Sequence, residues 1–502
     1  MLFVAFHFAV IFTLFSYNSH ARDNQKYTIS GYVKDSMNGE SLVGANIFVE
    51  NLSKGASTNQ YGFFSLTLPE GSYTLRFTFL GFQEKKIDVE LDEDIRLNVQ
   101  LVSEAIQTDE VVVKGKKDDE NVSSTDMGQV ELTTEKMKTL PALLGEVDVM
   151  KTLQLLPGIQ SAGEGISGLY VRGGGPDQNL VLLDNAVVYN TGHLFGFFSV
   201  FNPDAIKSTN LIKGGMPAQY GGRLSSVVDI SMKEGNSKEF QVDGGIGLIS
   251  SRLTVQGPIV KDKSSFMVSG RRTYIDIIGQ PILNNYQGGD FKNNSYYFYD
   301  VNAKANYKFS DQDRIYLSGY FGRDVFEFKA PYGAFGIEMP WGNTTATFRW
   351  NHLFNDKLFM NMTGIYNDYQ FEVNSSYRQV DFKLFSGLRD FNAKLDFDYY
   401  PNVNHDIKFG ASYIHHQFTP YSAQFSGGSS DIDTDNLDKK NAHEAGVYLQ
   451  DEFDIFTNLR VNAGIRGSFF QHIGPKTNYK RNRAGVITDS TEYDRGEPIA
   501  TY

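Results

Sequence analysis

The 502 residues are 41% hydrophobic and contain no cysteine; 47 Lys and Arg against 59 Asp and Glu leave a formal net charge of −12. An acidic chain of pI about 5.3 lacks the basic footprint of a nucleic-acid binder, and a mean hydropathy of −0.33 argues against a bundle of transmembrane helices. Without Cys there is no disulfide framework, thiolate metal site or cysteine nucleophile, and 28 Tyr, 39 Phe and 48 Gly suit a large all-β surface more than a compact enzyme.

The long apolar run Leu2–Phe15, followed by the small residues Ser19 and Ala21, reads as a secretory signal over residues 1–21. No Lys or Arg precedes it, which points to a misplaced start. From 27 to 102 short alternating segments separated by turns predict half-buried antiparallel strands folded as a β-sandwich. Within it, Gly62–Leu68 alternates Phe63, Ser65 and Thr67 with Phe64, Leu66 and Leu68.

Residues 103–125 are polar and short of aromatics, as in an extended linker. One apolar island interrupts them, Asp109-Glu110-Val111-Val112-Val113. Three β-branched residues in a row favour a strand. Alone, the triplet reads equally as a last strand of the sandwich or as a strand lent to another protein's sheet edge.

Residues 126–235 are glycine-rich. Leu143, Val147, Met150 and Leu153 fall at helical spacing before the breaker Pro157-Gly158. Leu169-Tyr-Val-Arg172-Gly173-Gly174 follows, then the strand Leu180-Val-Leu-Leu183 ending in Asp184-Asn185. Asn202-Pro203-Asp204 has the composition of a helix start, with a capping Asn and Pro at the first helical position. Ser208–Lys213 is predicted as a strand, and Tyr220-Gly221-Gly222-Arg223 leads into another at Val227–Ile230. Gly163, Gly165 and Gly168 satisfy a dinucleotide-loop pattern, but without a preceding strand and a following helix the pattern is loop glycine.

In 236–502 the alternation is sustained. Val301, Ala303 and Ala305 oppose Asn302, Lys304 and Asn306; Phe391, Ala393 and Leu395 oppose Asn392, Lys394 and Asp396; Val461, Ala463 and Ile465 oppose Asn462, Gly464 and Arg466. Long strands with one lipid-grade face and one charged face are the signature of a transmembrane β-barrel. Ser310–Asp313, Asn355-Asp356, Pro401–Asn404 and Thr457-Asn458 read as tight turns, and Gln280–Ser295 and Ser422–Asn441 as long loops on the opposite side. His415 and His416 point to opposite faces of a strand and do not share a metal. Asp431, Asp433 and Asp435 lack the glycine and the twelfth-position acid of a calcium loop. No catalytic constellation, metal site or cofactor site is expected.

Taken together, these phrases carry a resemblance. Gly31-Tyr-Val-Lys-Asp35, Leu42-Val-Gly-Ala-Asn-Ile47, Gln60-Tyr-Gly-Phe-Phe64 and Pro69-Glu-Gly-Ser-Tyr73 resemble the carboxypeptidase-regulatory-like domain, a transthyretin-like sandwich. The glycine-rich segment resembles the plug of TonB-dependent outer-membrane receptors, Asp109–Val113 their TonB box, and Gly257–Phe266 the first hairpin of their barrel. The layout is that of Bacteroidetes-type receptors. The resemblance implies a mainly β chain, with a mixed α/β plug inside an antiparallel barrel of which about ten of the family's 22 strands are present. It also implies TonB, outer-membrane lipid, a small or oligomeric extracellular ligand and a surface lipoprotein as partners, and no chemistry on the substrate. Arg172, Gly173, Gly174, Asp184, Gly221, Gly222 and Arg223 are the candidates for anchoring plug to barrel, against a plain solvated role for the two arginines. Tyr189, His193, Phe195 and Phe197, in an aromatic loop, either face ligand or fill the plug core.

Overall fold

The computed structural model describes residues 25–52, 54–104, 128–139, 146–161, 163, 167–285, 294–330, 335–377, 380–426, 432–433, 439–456, 459–482 and 486–502. The expected signal segment 1–21, the apolar island Asp109–Val113, Leu143, Gly165, the Thr457-Asn458 turn and most of the acidic run at 431–436 lie outside the described residues.

The first body is a sandwich of two sheets. Lys26–Asp35 pairs antiparallel with Phe63–Pro69 and parallel with Ile95–Arg96 and Val99–Leu101; Lys54–Ser57, Asn46–Val49, Gly71–Thr78 and Lys85–Leu91 form the second sheet in that order. Phe64, Leu66 and Leu68 fill the space between the sheets with Ile29, Ile47 and Phe77. The strand Phe63–Pro69 corrects the half-buried expectation, because Phe63, Ser65 and Thr67 on its other face are buried too. That face is covered by the third body: Phe63 stacks on Phe359 at 5.5 Å between ring centroids, and Leu353 and Tyr400 complete the cluster.

The second body is a five-stranded sheet ordered Ala186–Val187, Asn179–Leu183, Ser226–Met232, Ile206–Ile212 and Gln129–Thr133. Asn179–Leu183 and Ser226–Met232 run parallel, and the other pairs antiparallel. The helix Val149–Gln154 packs on this sheet through Met150 and Leu153, and Asp148 caps it by accepting the Lys151 N–H at 2.9 Å. The helix expected at Asn202-Pro203-Asp204 does not form. Asn202 closes a single turn by accepting the N–H of Asp204 and of Ala205, and the chain enters the strand Ile206–Ile212 at once. The Asp204 carboxylate is taken by Arg252 at 2.6 Å and Lys138 at 2.7 Å, and β-branched residues beyond it favour the strand.

The third body is an antiparallel sheet of thirteen strands from Gln241–Ile246 to Pro498–Thr501, whose two edges do not pair with each other. About ten strands were expected; the surplus includes the two-residue Ile432–Asp433 and the four-residue Pro498–Thr501. Short turns join its strands at 309–312, 356–357 and 403–404. On the opposite side, the stretch expected as loop from Gln280 begins inside the helix Ile275–Asn285. Its side chains invert the rule of a soluble protein: Val301, Leu317 and Ile465 are 42%, 60% and 72% exposed, while Asp300 and Lys304 are 1% and 5% exposed. The polar face is buried because the second body is seated on it.

Candidate functional site

The contact between the glycine-rich domain and the inner face of the sheet buries several charged side chains, among them Glu146, Asp184, Arg271, Asp300, Lys304 and Asp324. Three clusters fasten it. In the first, His193 is 1% exposed, with Nδ1 2.6 Å from Asp324 Oδ2, Nε2 3.4 Å from Asp300 Oδ2, and its ring stacked on Phe298 at 4.0 Å. Arg271 ion-pairs with Asp300 at 2.8 Å, donates to the Ser199 carbonyl at 3.0 Å and reaches Glu146 at 3.9 Å. Burial by itself depresses the imidazole; the carboxylates of Asp324 and Asp300 outweigh it and hold His193 above its ordinary value. Asp324 also accepts from the Tyr296 hydroxyl and from the Leu194 N–H.

In the second cluster, Lys304 reaches the Asp184 carboxylate at 2.9 Å and the Met232 carbonyl at 3.0 Å, and Asp184 accepts the Met232 N–H. Burial raises the Asp184 carboxyl, but Lys304 and Arg349 overcome that and leave it below the usual carboxylate range. Asp184 and Asn185 both take left-handed backbone conformations, φ 47° and 71°, at the turn that carries the carboxylate outward. In the third, Arg466 donates to the Ala218 and Gln219 carbonyls at 3.4 and 3.3 Å, and Gln450 accepts the Ala218 N–H at 2.8 Å. A Cβ at Gly221 would stand 2.4 Å from Arg466 Nε, so a side chain there would displace the guanidinium.

Of the anchoring residues expected from sequence, Asp184 and the Gly221-Gly222 pair meet the wall. Gly222 faces Glu444. Arg172 does not grip the wall: it is exposed, and its guanidinium lies over Gly214 of its own domain, with Gly173 and Gly174 in the adjoining turn. Arg223 folds back on the Gly222 carbonyl at 2.8 Å. The basic groups that hold the wall side, Arg271, Lys304 and Arg466, come from the sheet. The sequence placed Lys304 and Arg466 on polar faces but gave no sign of their partners.

The aromatic loop divides. His193 is interior, packed against the sheet. Tyr189 donates to Asp390, whose other oxygen is 2.7 Å from His416 Nδ1. Phe197 is half-buried under Lys151. Phe195 is 58% exposed at the top of the loop, with ring centroids 4.9 Å from Trp341, 5.7 Å from Phe326 and 6.2 Å from Tyr296. His416 turns inward and His415 outward beside His443. Among the described residues no group of three or more metal-ligating side chains is placed to hold a metal ion.

The sandwich is docked at the opposite end. Ser30 and Arg96 meet Asp356 in the turn 356–357, at 2.8 and 3.0 Å; Asn59 donates to Asp398 at 2.8 Å and Lys54 to Asn404. Glu40 accepts the N–H groups of Glu234 at 2.6 Å and Gly235 at 3.2 Å, where the glycine-rich domain gives way to the sheet. Burial pushes the Glu40 carboxyl above its usual range, against the opposing pull of Lys207.

Comparison with known proteins agrees with this architecture. Residues 29–113 match the family model of the CarboxypepD_reg-like domain and residues 125–228 that of the TonB-dependent Receptor Plug Domain. The chain is 29% identical over 229 residues to the TonB-dependent receptor SusC of Bacteroides thetaiotaomicron, and 26% identical over 226 residues to the TonB-dependent receptor P3 of Formosa agariphila. These matches take in 42% and 43% of this chain but only 22% and 21% of the relatives, so the chain matches little more than a fifth of their length. Among solved structures, the copper transporter OprC aligns with a TM-score of 0.53 at 12% identity, over 76% of this chain and 59% of that one. FpvA of P. aeruginosa, solved with bound heterologous pyoverdines, aligns with a TM-score of 0.52 at 10% identity, over 74% and 53%. These two show the fold alone. Sandwich, plug and inside-out sheet occur here in one order and in mutual contact, and the chain is similar to TonB-dependent receptors, with a segment matching the CarboxypepD_reg-like domain ahead of one matching the plug.

Proposed function

We propose that the receptor sits in the outer membrane and imports a scarce ligand by TonB-dependent displacement of the plug. One observation carries the reading: a sheet whose apolar side chains face outward and whose charged side chains are buried against a plug is built for a lipid exterior and a closed lumen. Ligand is held at the extracellular end, around the plug apex and the strand ends. TonB pairs with Asp109–Val113 by strand addition, backbone hydrogen bonds supplying the grip, and draws on the inner-membrane proton gradient to pull. The plug then parts from Asp300, Asp324, Lys304 and Arg466, and a polar path opens. A surface lipoprotein is a further partner, and no bond of the ligand is broken.

The test starts from the growth condition that induces the receptor, iron starvation or a single glycan. Deletion of Asp109–Val113 is expected to abolish receptor-dependent growth there while surface level and surface binding stay unchanged. Growth that survives the deletion sinks the mechanism.

A further inference from the structure

Three neighbouring strands, Phe335–Asn355, Leu358–Tyr377 and Val380–Asn402, run to 21, 20 and 23 residues. A transmembrane strand needs only about 9–11, so their upper halves stand outside the lipid. There the pattern of the sheet reverses. In the membrane belt the inward residues are polar, as Asn302, Lys304 and Asn306 are. Above Trp341, the two-residue alternation fixed by the Phe195–Trp341 and Phe195–Phe326 contacts brings Phe328, Ile337, Met339, Phe371, Val373 and Leu384 inward. The outward positions at the same height carry charge: Glu327, Glu338, Glu372 and Lys383 face away from the lumen, and Lys383 pairs with Glu372 at 3.5 Å. Water outside explains the outer charges. It does not explain an apolar inner wall, which would be wet on both sides unless something covers it.

The wall is continuous with Phe195 at its foot. Leu194 and Phe195, neither of them glycine, are held at φ 51° and 53°, a conformation costing about 1–3 kcal/mol each that persists mainly where the surroundings enforce it. The enforcement is visible: the Leu194 N–H donates to the Tyr296 hydroxyl and to Asp324, lifting the Phe195 ring into the lumen. The inward rows of these strands above Trp341 hold no charged residue, and the nearest carboxylate, Asp324, is taken by His193, Tyr296 and Leu194. Among the described residues of these rows no group would compensate a buried ligand charge, whereas a flat apolar surface would gain by ring contact.

We infer that this wall of the vestibule, from Phe195 up to Ile337 and Phe328, binds a neutral aromatic or otherwise flat apolar portion of the imported ligand. It rests on the reading of the chain as an outer-membrane receptor and assigns the ligand's class at that site.

Trp341 and Trp350 are the only two tryptophans, so Trp350→Phe leaves Trp341 as sole reporter at the wall. The full chain with that change, in lipid nanodiscs, is titrated with three probes: neutral 4-nitroaniline, anionic 4-nitrobenzoate and maltoheptaose. Saturable quenching of Trp341 by 4-nitroaniline is expected, at least about tenfold tighter than by 4-nitrobenzoate. Phe195→Ala and Ile337→Asp should each weaken it by about tenfold, the worth of one lost apolar contact, with an unchanged thermal unfolding midpoint as the check on folding. Equal, non-saturable quenching by both aromatic probes, or a saturable response to maltoheptaose alone, overturns the inference. Deleting Asp109–Val113 leaves this titration unaltered, so failure of the transport mechanism and failure of the ligand class are read separately.

Discussion

His193 is where the plug's hold on the wall is most concentrated. Its ring is set between two wall carboxylates, Asp300 and Asp324, with Arg271 and the Tyr296 hydroxyl completing the group. Removing one partner of a buried ion pair costs about 3–5 kcal/mol, because the other charge is left uncompensated, and His193→Gln is expected to destabilise the plug–wall unit by that order. The pH dependence has a definite sign. The folded imidazole titrates above its unfolded value, so its contribution is complete below about pH 6.5 and is lost as pH rises through the folded value. Thermal unfolding of wild type and His193→Gln in nanodiscs should therefore differ most near pH 6 and converge in alkaline buffer; a gap that widens with pH contradicts the assignment. In the sequence His193 stood out only as one member of an aromatic loop. Its partners lie more than 100 residues downstream, and alternation tells which way Asp300 points without telling what it meets. Asp184 was legible because it closes a predicted strand next to Asn185. Arg172 misled because a charged residue beside glycines reads alike whether it faces a wall or its own domain.

At the scale of elements, the strand Phe63–Pro69 serves two bodies. Phe64, Leu66 and Leu68 belong to the sandwich core, whereas Phe63 belongs to the separate cluster with Phe359, Leu353 and Tyr400. Phe63→Ala should spare the first and open the second, at a cost of about 3–5 kcal/mol for a buried ring. The expected result is a folded sandwich that limited proteolysis frees from the rest of the nanodisc-held protein faster than in wild type; unchanged release would mean that the polar contacts at Asp356 and Asp398 suffice. Strand periodicity made the strand itself plain, and its hydrophobic second face was written in Phe63, but a sequence does not say against what such a face packs. Asn202-Pro203-Asp204 shows the opposite failure: local helix signals were present and tertiary demand on Asp204 by Arg252 and Lys138 overrode them.

For the whole molecule, the order of bodies and the inside-out sheet were readable because both depend on composition and period, which need no partner. The count of strands was less so, since two- and four-residue strands at a sheet edge carry no periodicity. The three bodies are joined by polar contacts at Glu40–Glu234, Asp184–Lys304 and His193–Asp324 as well as by apolar clusters such as Phe63 with Phe359 and Phe198 with Phe298. Pairs this buried are screened little by salt, whereas removing one partner leaves the other uncompensated. Asp184→Asn in nanodiscs should therefore raise the accessibility of cysteines introduced at Asn302 or Thr345, which are buried and easily labelled in a chain with no cysteine of its own, while high salt alone leaves the unchanged protein as unreactive as before.

The outward-facing Val301, Leu317 and Ile465 have a consequence for folding under the proposed outer-membrane role. Formed in water, the sheet would present a broad oily flank, a surface prone to stick to its own copies. On that reading, burying the flank in lipid and seating the plug on the charged face belong to one process rather than to two successive ones.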